Sequence, residues 1–222
     1  MARAQTMVGD IPLNGWIDRL APVFARPYLR LMRLDRPIGT WLLLFPGWWS
    51  IAMASDGFPD WWLFLVFAVG AVVMRGAGCT FNDIADRDFD GRVERTRARP
   101  IPSGAVTIKQ AWVFLGLELL VGFLILLSLP SFARWVGAAS LFLVFTYPFM
   151  KRITYWPQAW LGLTFNWGAL LGYAAVKSEI GWPALALYAA GLFWTLGYDT
   201  IYAHQDREDD ALIGIKSTAL RL

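Results

Sequence analysis

Apolar residues come along this chain in blocks, and six blocks read as membrane spans: about 38–55, 61–81, 110–129, 132–149, 157–176 and 183–203. Each approaches the roughly 20 mostly apolar residues that a helix needs to cross a bilayer. Turn-forming stretches separate them: "SDGFPD" at 55–60, "LPS" at 129–131 and "EIGWP" at 179–183. Residues 82–109 break the pattern as a long polar connection. The pattern predicts an all-α fold: one polytopic transmembrane helical bundle of six spans, formed as a single domain by residues 1–222. Tryptophans at 48–49 and 61–62 suit the outer interface, where aromatic belts form.

Composition agrees, since 57% of the 222 residues are hydrophobic and only 17% charged, against about 25% charged in an ordinary soluble domain. The net charge of +3 would allow a nucleic-acid partner. The basic residues, however, sit in short connections between apolar blocks, which speaks for membrane topology and against a DNA-binding face. Cys79 is the single cysteine, so no internal disulfide forms. "MARAQTMVGDIPLNGWIDRLAP" has no apolar h-region, and no signal peptide is expected.

Charge sets the orientation. Arg3, Arg19, Arg26, Arg30, Arg33 and Arg36 precede the first span, and Arg87, Arg92, Arg95, Arg97, Arg99 and Lys109 follow the second. Lys151 and Arg152 follow the fourth, and Arg207, Lys216 and Arg221 the sixth; only Arg134 and Lys177 fall on the other side. The positive-inside rule then puts both termini and the polar connection in the cytoplasm, as in a bacterial inner membrane.

Two acidic clusters emerge on that side: "FNDIADRDFDGRVERTRARP" at 81–100 and "YDTIYAHQDREDD" at 198–210. Asn82, Asp86 and Asp90 are four residues apart, hence on one helical stripe with Asp83 beside it. Asp199, Asp206 and Asp210 share a face in the second cluster, with Tyr198 and Tyr202 one turn apart. A charge run after a span is usually a solvated face. Two of them, at the ends of corresponding helices, point instead to a shared site. Carboxylates this dense need a cation, and Mg²⁺ fits as a hard ion that takes carboxylate oxygens plus phosphate; no Cys/His spacing suggests zinc. Asp199 lies within its span, where ionisable groups are costly and usually functional. Arg95, Arg97, Arg99, Lys151, Arg152 and Lys216 can pair with the remaining diphosphate oxygens. No Walker loop or dinucleotide glycine pattern is present, so an oily phosphate ester suits the surroundings better than a nucleotide.

Other polar residues have plainer readings. Arg75, seven residues before Asn82, lies on nearly the same face and is a candidate for the cavity. Glu118 in the third span reads as a packing residue, His204 as an interfacial hydrogen-bonding residue, and Gly168 with Gly172 as a helix-packing pair. Asn166 either touches substrate or bonds a neighbouring helix.

"RLDRPIGTWLLLFPGWW" (33–49), "MRGAGCTFNDIADRDFDGRVERTRARPIPSGAVT" (74–107), "YPFMKRIT" (147–154) and "YDTIYAHQDREDDALIGIKSTA" (198–219) together resemble the membrane-bound aromatic prenyltransferases. The resemblance implies an all-helical membrane fold and Mg²⁺-dependent transfer of a polyprenyl chain from polyprenyl diphosphate to an aromatic ring. "LDRPIGTWLLL" favours 4-hydroxybenzoate as acceptor, on the route to ubiquinone. By motif, Asn82, Asp83, Asp86 and Asp90 match the first aspartate motif, and Asp206 and Asp210 the second. Asp83, Asp86, Asp90, Asp206 and Asp210 are the implied metal ligands, with Asp86, Asp90, Asp206 and Asp210 catalytic. Tyr147, Lys151 and Arg152 are similar to residues at the diphosphate end, and Arg36, with Arg33 close by, to the arginine that meets the acid's carboxylate. The family has about nine helices, so this chain is expected to be truncated. Sister enzymes acting on a naphthoate, homogentisate or a tetrapyrrole compete with this reading. From another class, a divalent-cation transporter does too.

Overall fold

The structure, a computed structural model, describes residues 7–8, 10–12, 15–93, 95–207, 214 and 216–221. A two-residue antiparallel ladder, β1 (Met7–Val8) with β2 (Ile11–Pro12), opens the chain. Helices follow: α1 (Trp16–Leu20), α2 (Arg26–Leu31), α3 (Ile38–Ala54), α4 (Trp61–Asp90), α5 (Ile108–Leu127) and α6 (Ser131–Ile153). Then come α7 (Pro157–Phe165), α8 (Trp167–Lys177), α9 (Trp182–Ala203), a single 3₁₀ turn at His204–Asp206 and α10 (Thr218–Arg221). The fold is all-α, as expected.

Among the described residues three helices, α4, α5 and α6, are long and apolar enough to cross a membrane, rather than six. The first expected span is the 17-residue apolar helix α3. The fifth is two helices, because Asn166 interrupts it. At the interruption Asn166 Nδ2 donates to Gly162 O and to Thr195 Oγ1, both at 2.9 Å, which ties the break to a neighbouring helix. Of its two expected roles, Asn166 therefore bonds a neighbouring helix, α9.

The polar connection is shorter than its composition suggested, because α4 runs on through Asp90. Nothing from Phe81 to Asp90 breaks a helix; Gly91 follows, and Thr96 Oγ1 caps the freed Asp90 carbonyl at 2.8 Å. At 1.5 Å per residue, 30 residues span about 45 Å, well beyond the roughly 30 Å hydrocarbon layer. The first aspartate motif therefore rides on a rigid helix that outruns the membrane.

The chain forms two compact units. The first, Met1–Gly39 with Val72–Gly122, closes over Leu31, Ala77, Ile84, Ile101, Val106, Ala111 and Leu115. The second, Thr40–Ala71 with Phe123–Leu222, packs α6 to α9 around Val66, Ala133, Val136, Leu170 and Ala174. In it Gly168 and Gly172 let α8 lie directly on α3: a Cβ on Gly172 would stand 2.6 Å from the Gly47 carbonyl oxygen. Ser50 Oγ donates to the Ala169 carbonyl at the same crossing. The glycine pair is a packing device, as its spacing implied.

Candidate active site

In the first unit the acidic motif is built into a network of guanidinium groups. Asp83, on α4, is fully buried. Its Oδ1 accepts from Arg33 Nη2 at 2.6 Å and lies 3.5 Å from Arg99 Nη1. Asp90, two turns on, accepts from Arg99 Nη1 at 2.9 Å. Arg99 comes from the loop after α4, and its Nε and Nη2 also donate to Asp10 Oδ2 at 3.1 and 3.0 Å. Arg36 Nη1 pairs with Asp10 Oδ1 at 3.1 Å and donates to the Asp10 carbonyl. Arg33 and Arg95 stand at 3.8 and 3.9 Å from the same carboxylate.

Arg33 holds an unusual backbone position. Leu34 N–H bonds back to Leu29 O and Arg33 N–H to Arg30 O, closing α2 with Arg33 at φ 61°. This is the left-handed position after a helix that glycine normally fills. An arginine there is strained, and such strain collects at functional sites.

The network shifts its members' acidities. Burial alone would push the Asp10 carboxyl up, but Arg99, Arg36 and Arg33 outweigh it and hold Asp10 below the ordinary aspartate value. For Asp35 burial wins over Arg36 and Arg33, and its carboxyl is pushed above that value. Burial and the neighbouring Arg33 oppose the charge on Arg99, yet Asp83, Asp90 and Asp10 raise its pKa overall.

Asp86 is buried on the same stripe, Asn82 is half-buried, and Arg75 packs where a Cβ on Gly39 would otherwise sit. Glu118, expected as packing, is buried against Gly76 with Thr80 in reach.

In the second unit Lys216 closes on the end of α6. Its backbone N–H donates to Lys151 O at 2.8 Å, and its Nζ donates to Ile153 O at 3.1 Å. Arg152 lies over the Phe149 ring. "KST" is anchored by Thr218, whose N–H donates to Gln158 Oε1 at 3.1 Å and whose hydroxyl meets Thr200 Oγ1 at 2.7 Å. Tyr147 and Asp199 are half-buried and Tyr202 is exposed. His204 Nδ1 bonds Thr200 O at 2.8 Å, the interfacial role expected of it. Asp206 lies in the 3₁₀ turn after α9; its side chain and Asp210 fall outside the described residues.

The expected metal set is not assembled among the described residues, where no three Asp, Glu, His or Cys side chains gather to hold an ion. Asp83 and Asp90 are instead met by Arg33 and Arg99, and the side chains of Asp206 and Asp210 lie outside the described residues. The residues still suit a hard divalent cation. Asp83 Oδ2 is buried without a hydrogen-bond partner, and such an oxygen calls for a further donor or a metal.

Sequence spacing does not point to Asp10. It lies 89 residues from Arg99, and no local spacing connects the two; the only signal is an acid placed before an arginine-rich stretch.

This arrangement, carboxylates clasped by arginines on a helix that outruns the membrane, is that of an integral-membrane protein. The chain belongs to the UbiA prenyltransferase family, whose family model matches residues 43–222, running through both units. It is 60% identical over 204 residues to the mitochondrial 4-hydroxybenzoate polyprenyltransferase of Rattus norvegicus, covering 90% of this chain and 54% of that one. With the Arabidopsis thaliana enzyme of the same name it shares 57% identity over 210 residues, 93% of this chain and 51% of the other. The chain thus spans about half the length of the relatives it matches. Among solved structures, the apo UbiA homologue of Aeropyrum pernix K1 superposes with a TM-score of 0.72 at 27% identity, covering 84% of this chain and 70% of that one. A UbiA homologue of Archaeoglobus fulgidus solved with DMAPP and Mg²⁺ gives 0.68 at 18% identity, over 86% and 68%, and shows the shared fold.

Proposed function

We propose that this chain carries the catalytic part of a 4-hydroxybenzoate polyprenyltransferase, which transfers a polyprenyl group from polyprenyl diphosphate to the ring carbon ortho to the phenol, within ubiquinone biosynthesis. The observation that carries this reading is the 60% identity to an enzyme of that name. The arginine–aspartate network of the first unit supports it. Residues 1–222 are taken as one prenyltransferase domain, in keeping with a family match that runs unbroken from residue 43.

Asp83, Asp86, Asp90, Asp206 and Asp210 would hold Mg²⁺, which when bound supplies positive charge to the leaving diphosphate. Asn82, being neutral, donates a hydrogen bond to a phosphate oxygen. Arg75, Lys151, Arg152 and Lys216 carry donors for the remaining anionic oxygens, with Tyr147, Asp199 and Tyr202 as further substrate contacts. Arg36 and Arg33 pair with the acceptor's carboxylate and so set the ring's orientation. The prenyl group leaves as an allylic cation; apolar walls keep water from it until the ortho carbon attacks, and loss of the ring proton restores aromaticity.

Membranes carrying the protein, given 4-hydroxybenzoate, a polyprenyl diphosphate and Mg²⁺, should yield a prenylated acid by mass analysis of the lipid extract. Chelation should abolish the product, and Asp86→Ala or Asp206→Ala should each reduce turnover by at least about a hundredfold, the scale of a lost charge-stabilising group. Wild-type turnover in either variant would remove the mechanism. Preference for a naphthoate, homogentisate or tetrapyrrole in a competition assay would assign a sister activity, and metal flux without prenyl diphosphate a transporter. The protein is integral to a membrane. The relatives are named mitochondrial, so a bacterial inner membrane has no support from them.

A further inference from the structure

Asp10 occupies an unusual place. It arrives on a short N-terminal strap, where Asp10 N–H donates to Arg95 O at 3.0 Å and the neighbouring Ile11 is buried. Its carboxylate then takes Arg99 on one oxygen and Arg36 on the other, with Arg33 and Arg95 just beyond. Four guanidinium groups thus share three carboxylates: Asp10, Asp83 and Asp90. Asp83 and Asp90 sit on α4 and are fixed by it, so the strap carries the one acid of the three that does not belong to the motif helix. Removing it would leave Arg36, among the described residues, with only Asp35, at 3.5 Å, and would leave Arg99 short of one partner. Clustered guanidinium groups at a partly buried site draw in an anion.

We propose that Asp10 is an internal competitor for the anion seat of Arg33, Arg36 and Arg99, held where the acceptor's carboxylate binds and setting the affinity for that acid. The proposal rests on the reading of Arg36 and Arg33 as carboxylate partners given above. Its chemistry is direct exchange: one carboxylate leaves the arginines as another arrives, and no bond or proton changes hands. The bland alternative makes Asp10 a brace that holds the arginines in position. The two readings predict opposite signs, because removing a competitor tightens acceptor binding whereas removing a brace loosens it.

The test measures 4-hydroxybenzoate binding by calorimetry, alongside KM and kcat, in wild type, Asp10→Asn and Asp10→Glu. Asp10→Asn should lower both the Kd and the KM for the acid by roughly fivefold, the worth of a part-exposed ion pair. Its KM for the prenyl diphosphate should move less than its KM for the acid. Asp10→Glu, which keeps the charge, should stay near wild type and shows that the strap tolerates substitution. 4-Hydroxyacetophenone, which lacks the carboxylate, should bind all three proteins equally. An acceptor Kd that rises or does not move in Asp10→Asn overturns the proposal, as does tightening confined to the diphosphate. Tighter acid binding by Asp10→Asn in a protein that forms no product would uphold the competitor and sink the transferase reading, so the two failures are distinguishable.

Discussion

Arg33 shows function overriding local preference. The residue after α2 sits at φ 61°, where a side chain costs about 1–2 kcal/mol relative to glycine. What holds it there is the 2.6 Å pair with buried Asp83. Arg33→Gly and Arg33→Ala both lose that pair, but only alanine keeps the backbone strain. The glycine variant should therefore unfold with a free energy about 1 kcal/mol above that of the alanine variant. Denaturant unfolding in detergent measures the difference, and equal stabilities would show that the turn stores no strain. Asp10 gives a pH dependence of definite sign. Its folded-state pKa lies below the ordinary 3.8, so its ion pairs stabilise the protein fully above that value and are lost as pH falls through the lowered one. Asp35, raised by burial, works the other way and gains stability as it protonates. Below about pH 4 the Tm of Asp10→Asn should consequently fall less steeply than that of wild type; parallel slopes there would remove Asp10 from the acid limb.

At the scale of elements, much was legible because helical spacing is a local property. Asn82, Asp86 and Asp90 do share a helix, and Gly168 with Gly172 does mark a close crossing. What escaped needed partners distant in sequence. α7 and α8 read as one span because both are apolar, and the break at Asn166 depends on Thr195 across the packing interface. α4 read as ending near Phe81 because polarity rises there, although its carboxylates are met by arginines from other segments. Asp10, and the pairing of Arg33 with Asp83, were unreadable for the same reason. The glycine crossing gives its own prediction. On Gly172 an added Cβ would press the Gly47 carbonyl, a backbone atom that cannot rotate away, whereas on Gly116 in α5 it would meet nothing within 4 Å. Gly172→Ala should cost about 1–3 kcal/mol by overpacking, and Gly116→Ala should be neutral or stabilising through helix propensity. Equal melting temperatures for the two variants would show that α3 and α8 separate freely.

For the whole molecule, the proposed function requires the charged end of α4 to leave the bilayer on one side while its tryptophan end stays at the other. The helix is long enough and carries a continuous apolar stretch. Trp61 and Trp62 at its start are exposed, and its far end holds the buried Asp83, Asp86 and Asp90. Arginines concentrate in the loop after it, the bias that retains a segment on the inner side. Cys79 is buried and is the single cysteine, so Cys79→Ser yields a background for site-directed labelling. Phe58, in the turn before α4, and Arg97, in the loop after it, are both exposed. A membrane-impermeant maleimide added to sealed vesicles should label a cysteine at 58 or at 97 but not both, and inverting the vesicles should exchange the two. Labelling of both positions from one side would mean that α4 does not span the bilayer, and the aspartate motif would then lose its place at the membrane border, which the proposed function requires.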